Sequence, residues 1–586
     1  MMVVDFTTAP PPTVVDGLVA VPVHVEGLRA HVRLDGSTST ARVDVTMMYV
    51  VGPTPGSPIF DLRQEVDRCW LDDRLIEPDL VRPRDVGEGL FGSIRVLQAV
   101  QAAGSSHTLR FQYRMATPRS QLDGTYPPAL EWYAGPRLRW SFGMADLYAG
   151  RYLEAWLPSN LQFDQFPIEL TIRIAGTAVP HTVISNGTVV AIDDNAWSVQ
   201  FPPWFTSMSP MLEVRAADAV ERACVTVQLR SSSVVVVVWK LVTDPTSLAE
   251  QLELIAMLLA GNETSFGAYP GDRFVCFLHG ASGGMEYALG ATTSVSALRH
   301  EVLHSWFARG LSPASQADAW WDEAFTRLND NTSDRVQHFD YRERAVELCS
   351  RRPFQRRTAP NSYTDGCRFF LGVAATLGAD RLRVLMRELH ESRFRTTVST
   401  PYLESHLITR SGDVTLVDAF HRFVYGFDDP TPSPRLWFRN TVDHDYFDVW
   451  TGAHCDSPDL WITHTNDAGR SHQSPRPCAD NWLHARVRNH RTGGDCRHFV
   501  VTFAVAGANG HPFCYPDDFF PCIATAVGFQ LAPGSSQVVS ARWPADAVPT
   551  GGGKLSLLAA VHSRRCHPSE WSHVWNQVSL VQKNLT

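Results

Sequence analysis

Near the middle of this 586-residue chain the sequence reads His300-Glu301-Val302-Leu303-His304. On an α-helix, residues four apart lie on the same face, so the two imidazoles can converge on one cation. Glu301 is rotated by about 100° from His300, toward the place where a metal-bound water would lie. Two imidazoles suit Zn²⁺, and a catalytic zinc needs one more protein ligand beside an open position. The pentapeptide therefore predicts a helix that contributes two ligands to a zinc site.

The third ligand is predicted downstream, in the segment Trp320-Trp-Asp-Glu-Ala-Phe-Thr326. Glu323 lies beyond His304 with 18 residues between them. The Ser312-Pro313 turn would let a second helix return beside the first and bring this carboxylate to the metal. The alternative is a core helix with two solvated histidines, but a helix face that carries His, Glu and His would be unusual in a core.

A further motif, Gly283-Gly-Met-Glu-Tyr287, precedes His300. Two glycines before an extended run suit a sheet edge where the backbone closely approaches a ligand. Glu286 would then project into the cleft, where a carboxylate is the natural partner of a free ammonium group. The pentapeptide alone is weak evidence, and its position 14 residues before His300 gives it weight.

The chain around these motifs divides into four predicted segments, and its fold class is multidomain α+β. Residues 1–230 show short alternating runs typical of a β sandwich or saddle-like sheet. Residues 231–427 become helical after a strand at Ser233, with Asp244 or Ser247 as the cap of a helix that begins at Leu248. A Pro-rich linker is predicted at 428–454, and five strand-like runs in 455–586 predict a C-terminal β-sandwich.

Composition excludes several classes of function. The formal net charge is −9, with 52 Lys+Arg against 61 Asp+Glu, so the basic field of a general nucleic-acid binder is absent. No apolar run reaches the roughly 20 residues of a membrane span. No signal peptide is visible at the start, so the default location is cytoplasmic, with signal-less export as an open alternative. Eleven cysteines are present, and the sequence leaves open whether they form disulfides.

The three motifs together resemble the aminopeptidase N family of zinc metallopeptidases in the gluzincin superfamily. That family carries GxMEN, then HExxH-x18-E, with a WLNEGF-type sequence around its third ligand; here the corresponding letters are GGME, HEVLHSW and WWDEAFT. The Gly-Gly-Met-Glu and His-Ser-Trp details also resemble the glycyl aminopeptidases. The resemblance implies an N-terminal β saddle, a thermolysin-like catalytic domain, one zinc ion per chain, and cleavage of N-terminal residues from peptide substrates.

The resemblance also implies a role for each motif residue. Glu301 would be the general base, Glu286 would bind the substrate's α-amine beside Gly283 and Gly284, and a tyrosine would stabilise the oxyanion. The best match for that tyrosine is Tyr363, with Tyr341 and Tyr402 as alternatives. The implied zinc ligands are His300, His304 and Glu323.

Some positions depart from the family pattern. Tyr287 replaces the Asn that follows GxME, and Asp365 stands where the family has Lys. A second amine-binding group is not evident, and Glu154 occupies roughly its place, although a solvated surface residue is the simpler interpretation. The C-terminal segment resembles β-sandwich modules that bacteria append to secreted peptidases, with Ser457-Pro-Asp-Leu-Trp-Ile462 as one of the similar stretches.

Two alternatives to an aminopeptidase stay open. The first is a zinc endopeptidase of the same superfamily, in which Glu286 binds no amine and the cleft is open at both ends. The second is a catalytically silent binding or assembly protein on the same scaffold. The sequence does not give the side-chain specificity or the oligomeric state.

Overall fold

The computed structural model describes residues 6, 8–86, 92–120, 126–161, 164–330, 344–350, 352, 354–428, 432–447, 454–507, 512–550, 553–564, 566–569 and 571–585. The chain forms two compact units. The first unit comprises Met1–His338, Cys349–Leu371 and Met386–Ser399, and the second comprises Phe339–Leu348, Gly372–Leu385 and Thr400–Thr586. This division differs from the four consecutive segments predicted from the sequence, because Gly372–Leu385 belongs with the C-terminal part of the chain.

Among the described residues up to 216, the regular secondary structure is β-strand apart from two short 3-10 helices. Long alternating runs become the central strands: in Thr40–Val51 nearly every second side chain is buried, as a half-buried sheet requires. An eight-stranded sheet has the order β15-β16-β13-β3-β4-β10-β6-β7, a five-stranded sheet has β1-β2-β5-β9-β8, and a four-stranded sheet has β11-β12-β17-β14. The strands β1–β17 are Thr13–Val15, Leu18–Val21, Val23–Asp35, Thr40–Val51, Ser57–Phe60, Arg68–Leu71, Arg74–Ile76, Pro83–Arg84, Ile94–Val96, Ser106–Arg114, Ala129–Tyr133, Arg137–Ser141, Ile168–Ala175, His181–Ser185, Thr188–Asp193, Ala196–Phe201 and Leu212–Ala216.

A mixed five-stranded sheet follows and carries the motifs. Its strands are β18 (Val220–Gln228), β19 (Ser233–Leu241), β20 (Arg273–Leu278), β21 (Gly284–Tyr287) and β22 (Gly290–Thr293). Their order is β18-β19-β20-β22-β21, with parallel pairing at β19/β20 and β20/β22. Strand β18 lies before the predicted boundary at residue 230 but pairs along its whole length with β19, so it belongs to this sheet.

In the part of the chain that the structure describes, seven α-helices lie between Leu248 and Ala419. The first, α1, is capped by Ser247, whose hydroxyl accepts a hydrogen bond from the Glu250 amide; of the two predicted caps, Ser247 therefore fills that role. Two short strands in this region, β23 (Ser312–Pro313) and β24 (Thr397–Val398), pair in parallel. The helices α1–α7 are Leu248–Phe266, Leu298–Leu303, Trp320–Asn329, Asp365–Leu377, Ala379–Ser392, Thr400–Ser411 and Leu416–Ala419.

The C-terminal part of the second unit contains two four-stranded sheets, β25-β27-β26 with β31 on β27, and β30-β28-β32-β34. Side chains from both sheets, including Leu483 and Phe503, share one apolar core, as two packed sheets require. The predicted linker at 428–454 is wrong in part, since Leu436–Trp437 pairs with β27 and Phe438 is fully buried. The strands β25–β34 are Leu436–Trp437, Leu460–Thr463, Asn481–Asn489, Cys496–Gly507, Cys514–Tyr515, Ala524–Leu531, Ser536–Trp543, Leu555–His562, Ser572–His573 and Leu580–Leu585.

Two further expectations concern the whole chain. In the part of the chain that the structure describes, no helix has the length and apolar character that crossing a membrane demands. The cysteines, all of which lie in the described residues, form no disulfide bond.

Candidate metal centre

The two histidines of the central pentapeptide lie at the end of a short helix. Helix α2 has six residues, and His304 is its C-cap with helical backbone angles (φ −58°, ψ −16°). The two rings therefore still lie one turn apart, as predicted for a longer helix. Their centroids are 4.7 Å apart, and their Nε2 atoms are separated by 3.1 Å.

Helix α3 brings the third predicted ligand to the same point. Glu323 is in the first turn of α3 and its side chain is 3% exposed. Its Oε2 atom lies 3.2 Å from His300 Nε2 and 3.5 Å from His304 Nε2. The structure thus brings together all three residues that the spacing of the motif predicts as ligands.

These separations fit a zinc ion. With zinc–ligand bonds of about 2.0–2.1 Å, two ligands of a tetrahedral site are about 3.3 Å apart. The three measured separations, 3.1, 3.2 and 3.5 Å, lie around that value. The donor set of two imidazole nitrogens and one carboxylate oxygen is that of a catalytic zinc site with its fourth position open.

The hydrogen bond made by Nδ1 of each ring determines which nitrogen would face a metal ion. His304 Nδ1 is 2.9 Å from the carbonyl oxygen of Phe307, so it must carry the proton that it donates. His300 Nδ1 lies 3.0 Å from Asp330 Oδ2, and it donates to that carboxylate. In the neutral form of both rings, Nε2 then presents a lone pair to the same point, as in metal sites whose ligand histidines are held by an outer hydrogen bond.

The electrostatics show how strongly this cluster attracts a cation. Burial alone would lower the pKa of His304, yet the Glu286 and Glu323 carboxylates outweigh burial and raise it to about 9. The pKa of His300 rises well above its usual range for the same reason, through Asp330 and Glu323. Burial opposes the negative charge of Glu323, but the two imidazoles hold its pKa well below normal. Without a metal ion, the two imidazoles would bind protons instead.

Glu301 faces the same cavity. Its side chain is buried, and its Oε2 atom has no hydrogen-bond partner among the described residues. Burial, countered only in part by His300, raises its pKa to about 8. Gly284 makes room for it, because a Cβ at that position would lie 2.7 Å from the Glu301 Cδ. The predicted close approach at the double glycine is therefore a contact with Glu301, and Gly283 enters the strand at φ +78°.

Glu286 lies on β21 and is buried, and its carboxylate lies near Glu301 and His304, with one oxygen or nitrogen atom of each within 4.8 Å of the others. One of its oxygens, Oε1, accepts a hydrogen bond from Arg309 Nη2 at 2.6 Å. The Arg309 side chain is fully buried. The residue predicted to bind an amine is thus already paired with an internal cation through one oxygen.

Tyr363 also reaches the site. Its ring stacks on His300 with the centroids 6.1 Å apart. Burial and the Asp146 and Glu323 carboxylates raise its pKa well above the usual range, so the phenol keeps its proton. Of the two alternatives, Tyr402 is 40% exposed at the start of α6, whereas Tyr341 lies outside the described residues.

Three residues near the metal ligands were missed in the sequence. Asp330 follows Glu323 by seven residues, two helical turns on, and that spacing could have identified it. Arg309 and Asp146 had no such signal, because they come from a turn and from the N-terminal β region. Burial and then Glu323 raise the pKa of Asp146 well above normal, so this carboxyl lies near the metal ligands.

Glu154 does not occupy the place suggested for a second amine-binding group. It is 2% exposed, so the expectation of a solvated residue is wrong. Its Oε1 atom is 3.3 Å from Arg356 Nη2, and Arg356 also pairs with Asp61. Glu154 therefore belongs to a buried ion-pair cluster that contains none of the predicted metal ligands.

Comparisons of the sequence found no matching family model and no matching curated protein. Solved structures do match the fold. An M1 zinc metallopeptidase from Deinococcus radiodurans is 16% identical over 71% of this chain and 96% of its own, with a TM-score of 0.50. A mutant of the Deinococcus enzyme bound to a Tyr-Ser-Ala substrate is 17% identical over 73% of this chain and 98% of its own, with a TM-score of 0.51. Legionella pneumophila aminopeptidase A in complex with aspartic acid is 9% identical over 90% of this chain and 57% of its own, with a TM-score of 0.51. The chain therefore has a multidomain fold similar to that of the M1 peptidases.

Proposed function

We propose that the protein is a zinc metallopeptidase that acts as an aminopeptidase on peptides. The observation that carries this proposal is the convergence of His300, His304 and Glu323, whose ligand atoms lie 3.1–3.5 Å apart. The similar solved structures are zinc metallopeptidases, which supports the same chemistry.

A zinc ion held by these three residues would supply a Lewis acid for the scissile carbonyl and for an attacking water. Glu301 accepts the proton of that water on its carboxylate and passes it to the leaving amine. Its Oε2 atom is buried and has no hydrogen-bond partner among the described residues, so it is available to accept that proton.

Tyr363 stabilises the oxyanion that develops on the scissile carbonyl. Its phenol stays protonated across the working pH range, because burial and nearby carboxylates oppose its ionisation. A protonated hydroxyl beside the metal ligands can donate a hydrogen bond to developing negative charge. The stacking of its ring on His300 holds that donor next to the proposed zinc site.

Glu286 binds the α-amine of the substrate through the oxygen that Arg309 leaves available. Arg309 neutralises part of the negative charge of the cavity, but the pKa of its guanidinium also responds to the carboxylates of Asp322 and Asp146. Burial and Glu323 raise the pKa of Asp322 and of Asp146 well above normal, so these two carboxyls keep their protons and the negative charge near Arg309 is that of Glu286 and Glu323. This balance favours an ammonium group in the cavity, and it favours substrates with a free N-terminus.

The pairing of Glu286 with Arg309 at 2.6 Å also favours a second candidate, a zinc endopeptidase. If the ion pair satisfies Glu286 completely, an α-amine gains nothing there and a mid-chain peptide would bind equally well. The two candidates share the metal site and the general base, and they differ only in what Glu286 binds.

Hydrolysis of a free-amine peptide and of its N-acetylated twin distinguishes the candidates. We expect one zinc per chain by atomic absorption, chelator-sensitive hydrolysis, and roughly a 10- to 100-fold preference for the free amine, the value of one charge-assisted hydrogen bond. Glu301→Gln should keep the zinc and lose about 10²–10⁴-fold in kcat. Equal turnover of the twins would establish the endopeptidase, and zinc binding without hydrolysis would establish a silent binding protein.

A further inference from the structure

A second pocket, far from the metal ligands in sequence, lies within the C-terminal unit. It is a small concave site that opens to solvent. The residues of its lining that carry the argument are His421, Asp495, Arg497, His498, Ser563 and Arg564. Two arginines, a serine and two histidines in one concave site form a set of side chains that recognises an oxyanion.

Several polar atoms at this pocket have no hydrogen-bond partner among the described residues. Ser563 is 2% exposed, and its hydroxyl oxygen is buried and makes no hydrogen bond among the described residues. The same holds for Arg564 Nη1. A buried donor without a partner costs roughly 1–3 kcal/mol. Two such donors at one pocket are available to a ligand with acceptor oxygens.

His498 adds an acceptor to these donors. The residue is fully buried, and its Nε2 lies 3.0 Å from Glu404 Oε1. Glu404 also accepts a hydrogen bond from the Tyr425 hydroxyl at 2.8 Å. With the Nε2 proton donated to this carboxylate, the neutral ring presents Nδ1 as a lone pair. His498 Nδ1 is buried and has no partner in the described chain.

Apart from Glu404, whose carboxylate is bound by His498 Nε2 and the Tyr425 hydroxyl, the charges at this pocket favour an anionic ligand. Burial, then His498 and the arginines Arg564 and Arg497, lower the pKa of His421 to about 2, so this ring stays neutral in a positive environment. Among the lining residues, all of which are described, Asp495 has the one carboxylate, and it is exposed. An exposed carboxylate is screened by solvent and opposes a buried anion only weakly.

The walls of the pocket are held in place before any ligand arrives. The Gly494 amide donates to the Ser433 carbonyl at 3.1 Å, and a side chain at Gly494 would collide with the Pro432 backbone. On the other side, Ser563 exchanges two backbone hydrogen bonds with Cys566. A site with fixed walls loses little conformational freedom on binding.

We propose that this pocket binds a phosphate group that retains an ionisable P–OH. Arg564, Arg497 and Ser563 donate to its oxygens, and the P–OH donates to His498 Nδ1. Sulfate has no proton to donate at neutral pH and meets a lone pair there, so it binds more weakly. Free phosphate and a phosphate monoester share this chemistry.

The test is a calorimetric titration of the full-length protein with inorganic phosphate, sulfate and glycerol 3-phosphate at constant ionic strength. We expect phosphate to bind at least about 10-fold more tightly than sulfate, the value of one hydrogen bond to a charged group. Arg564→Gln should lower the phosphate affinity at least about 10-fold, and Ser563→Ala about 5- to 10-fold. Arg542→Gln removes an arginine that pairs with Asp480 at the surface and should change nothing.

Several results would overturn the proposal. Phosphate could also coordinate zinc, so equal binding to the wild type and to a folded Arg564→Gln variant would assign the heat to the metal centre and refute this site. Absence of binding by both phosphate and glycerol 3-phosphate would refute it as well, and equal affinity for sulfate would refute the role of His498. Ser563→Ala keeps the test decisive if Arg564→Gln does not fold. Tighter binding of glycerol 3-phosphate than of phosphate would support a monoester ligand.

Discussion

Replacing Asp330 by asparagine should weaken zinc binding although all three proposed ligands stay in place. The Asp330 carboxylate accepts a hydrogen bond from His300 Nδ1 at 3.0 Å, and its side chain is 6% exposed. Asparagine keeps the size and an acceptor oxygen but removes the negative charge. A hydrogen bond to a charged group contributes roughly 1.5–3 kcal/mol and a neutral one roughly 1 kcal/mol. The loss is therefore about 1–2 kcal/mol, or about 5- to 30-fold in affinity.

Competition against a chromophoric zinc chelator at pH 7.0 would measure this loss. Outer partners of ligand histidines typically contribute 10- to 100-fold in metal affinity, and the expected value overlaps the lower part of that range. Asp272→Asn is the matched control, because Asp272 is 74% exposed and pairs with the neighbouring Arg273 at the surface. A variant of Asp330 that binds zinc within about twofold of the wild type, with unchanged circular dichroism, would show that this carboxylate does not hold His300.

Other substitutions probe the remaining contacts. Gly284→Ala should displace Glu301 and lower kcat with no change in zinc content, since its Cβ would lie 2.7 Å from the Glu301 Cδ; an unchanged kcat would refute the contact. Arg309→Met should cost about 3–5 kcal/mol in urea unfolding, because it leaves Glu286 buried without its cation, and adding Glu286→Gln should recover part of that loss. His562 is fully buried, and burial lowers its pKa to about 3, so the unfolded chain binds its proton first as the pH falls below about 6.5. The free energy of unfolding should therefore fall by about 2 kcal/mol between pH 6.5 and 5 because of His562. In the His562→Asn variant, the decrease in the free energy of unfolding over the same pH range should be smaller by that amount.

The sequence predicts the metal ligands well because their geometry is local. Two histidines four residues apart need only one turn of helix to converge, and α2 supplies that turn although it ends at Leu303. The position of Glu323 needs a reversal of the chain between α2 and α3, but the turn predicted at Ser312–Pro313 is wrong, since these two residues form strand β23. Glu301 follows from the same turn.

The surroundings of these ligands could not be predicted, because they depend on packing between distant segments. Arg309 reaches Glu286 across 23 positions through a turn with no regular period. Asp146 lies in a turn of the N-terminal β region and has no sequence link to the helices. The linker prediction failed for the opposite reason: prolines indicated a break, but Leu436–Trp437 still pairs with β27, since a two-residue edge strand tolerates nearby prolines.

Ala308 has a strained backbone and lies between a residue that contacts a proposed zinc ligand and a residue that pairs with the proposed amine-binding carboxylate. Its φ of +135° lies in a region that residues with a Cβ rarely adopt, at a cost of order 1–3 kcal/mol. On one side Phe307 accepts the hydrogen bond of His304, and on the other Arg309 pairs with Glu286. The strain is therefore located where the backbone must serve both the proposed zinc ligand and the proposed amine site.

Ala308→Gly should relieve that strain and stabilise the protein by about 1 kcal/mol, after the entropy that glycine adds to the unfolded chain is subtracted. At Ala375, an exposed position inside α4, the same substitution should destabilise by about 0.5–1 kcal/mol. Urea unfolding of both variants would give the comparison. If Ala308→Gly loses as much stability as the helix control, the backbone there is not strained. If it gains stability while the KM for free-amine peptides rises at constant zinc affinity, the strain positions Arg309 and Glu286 for the substrate.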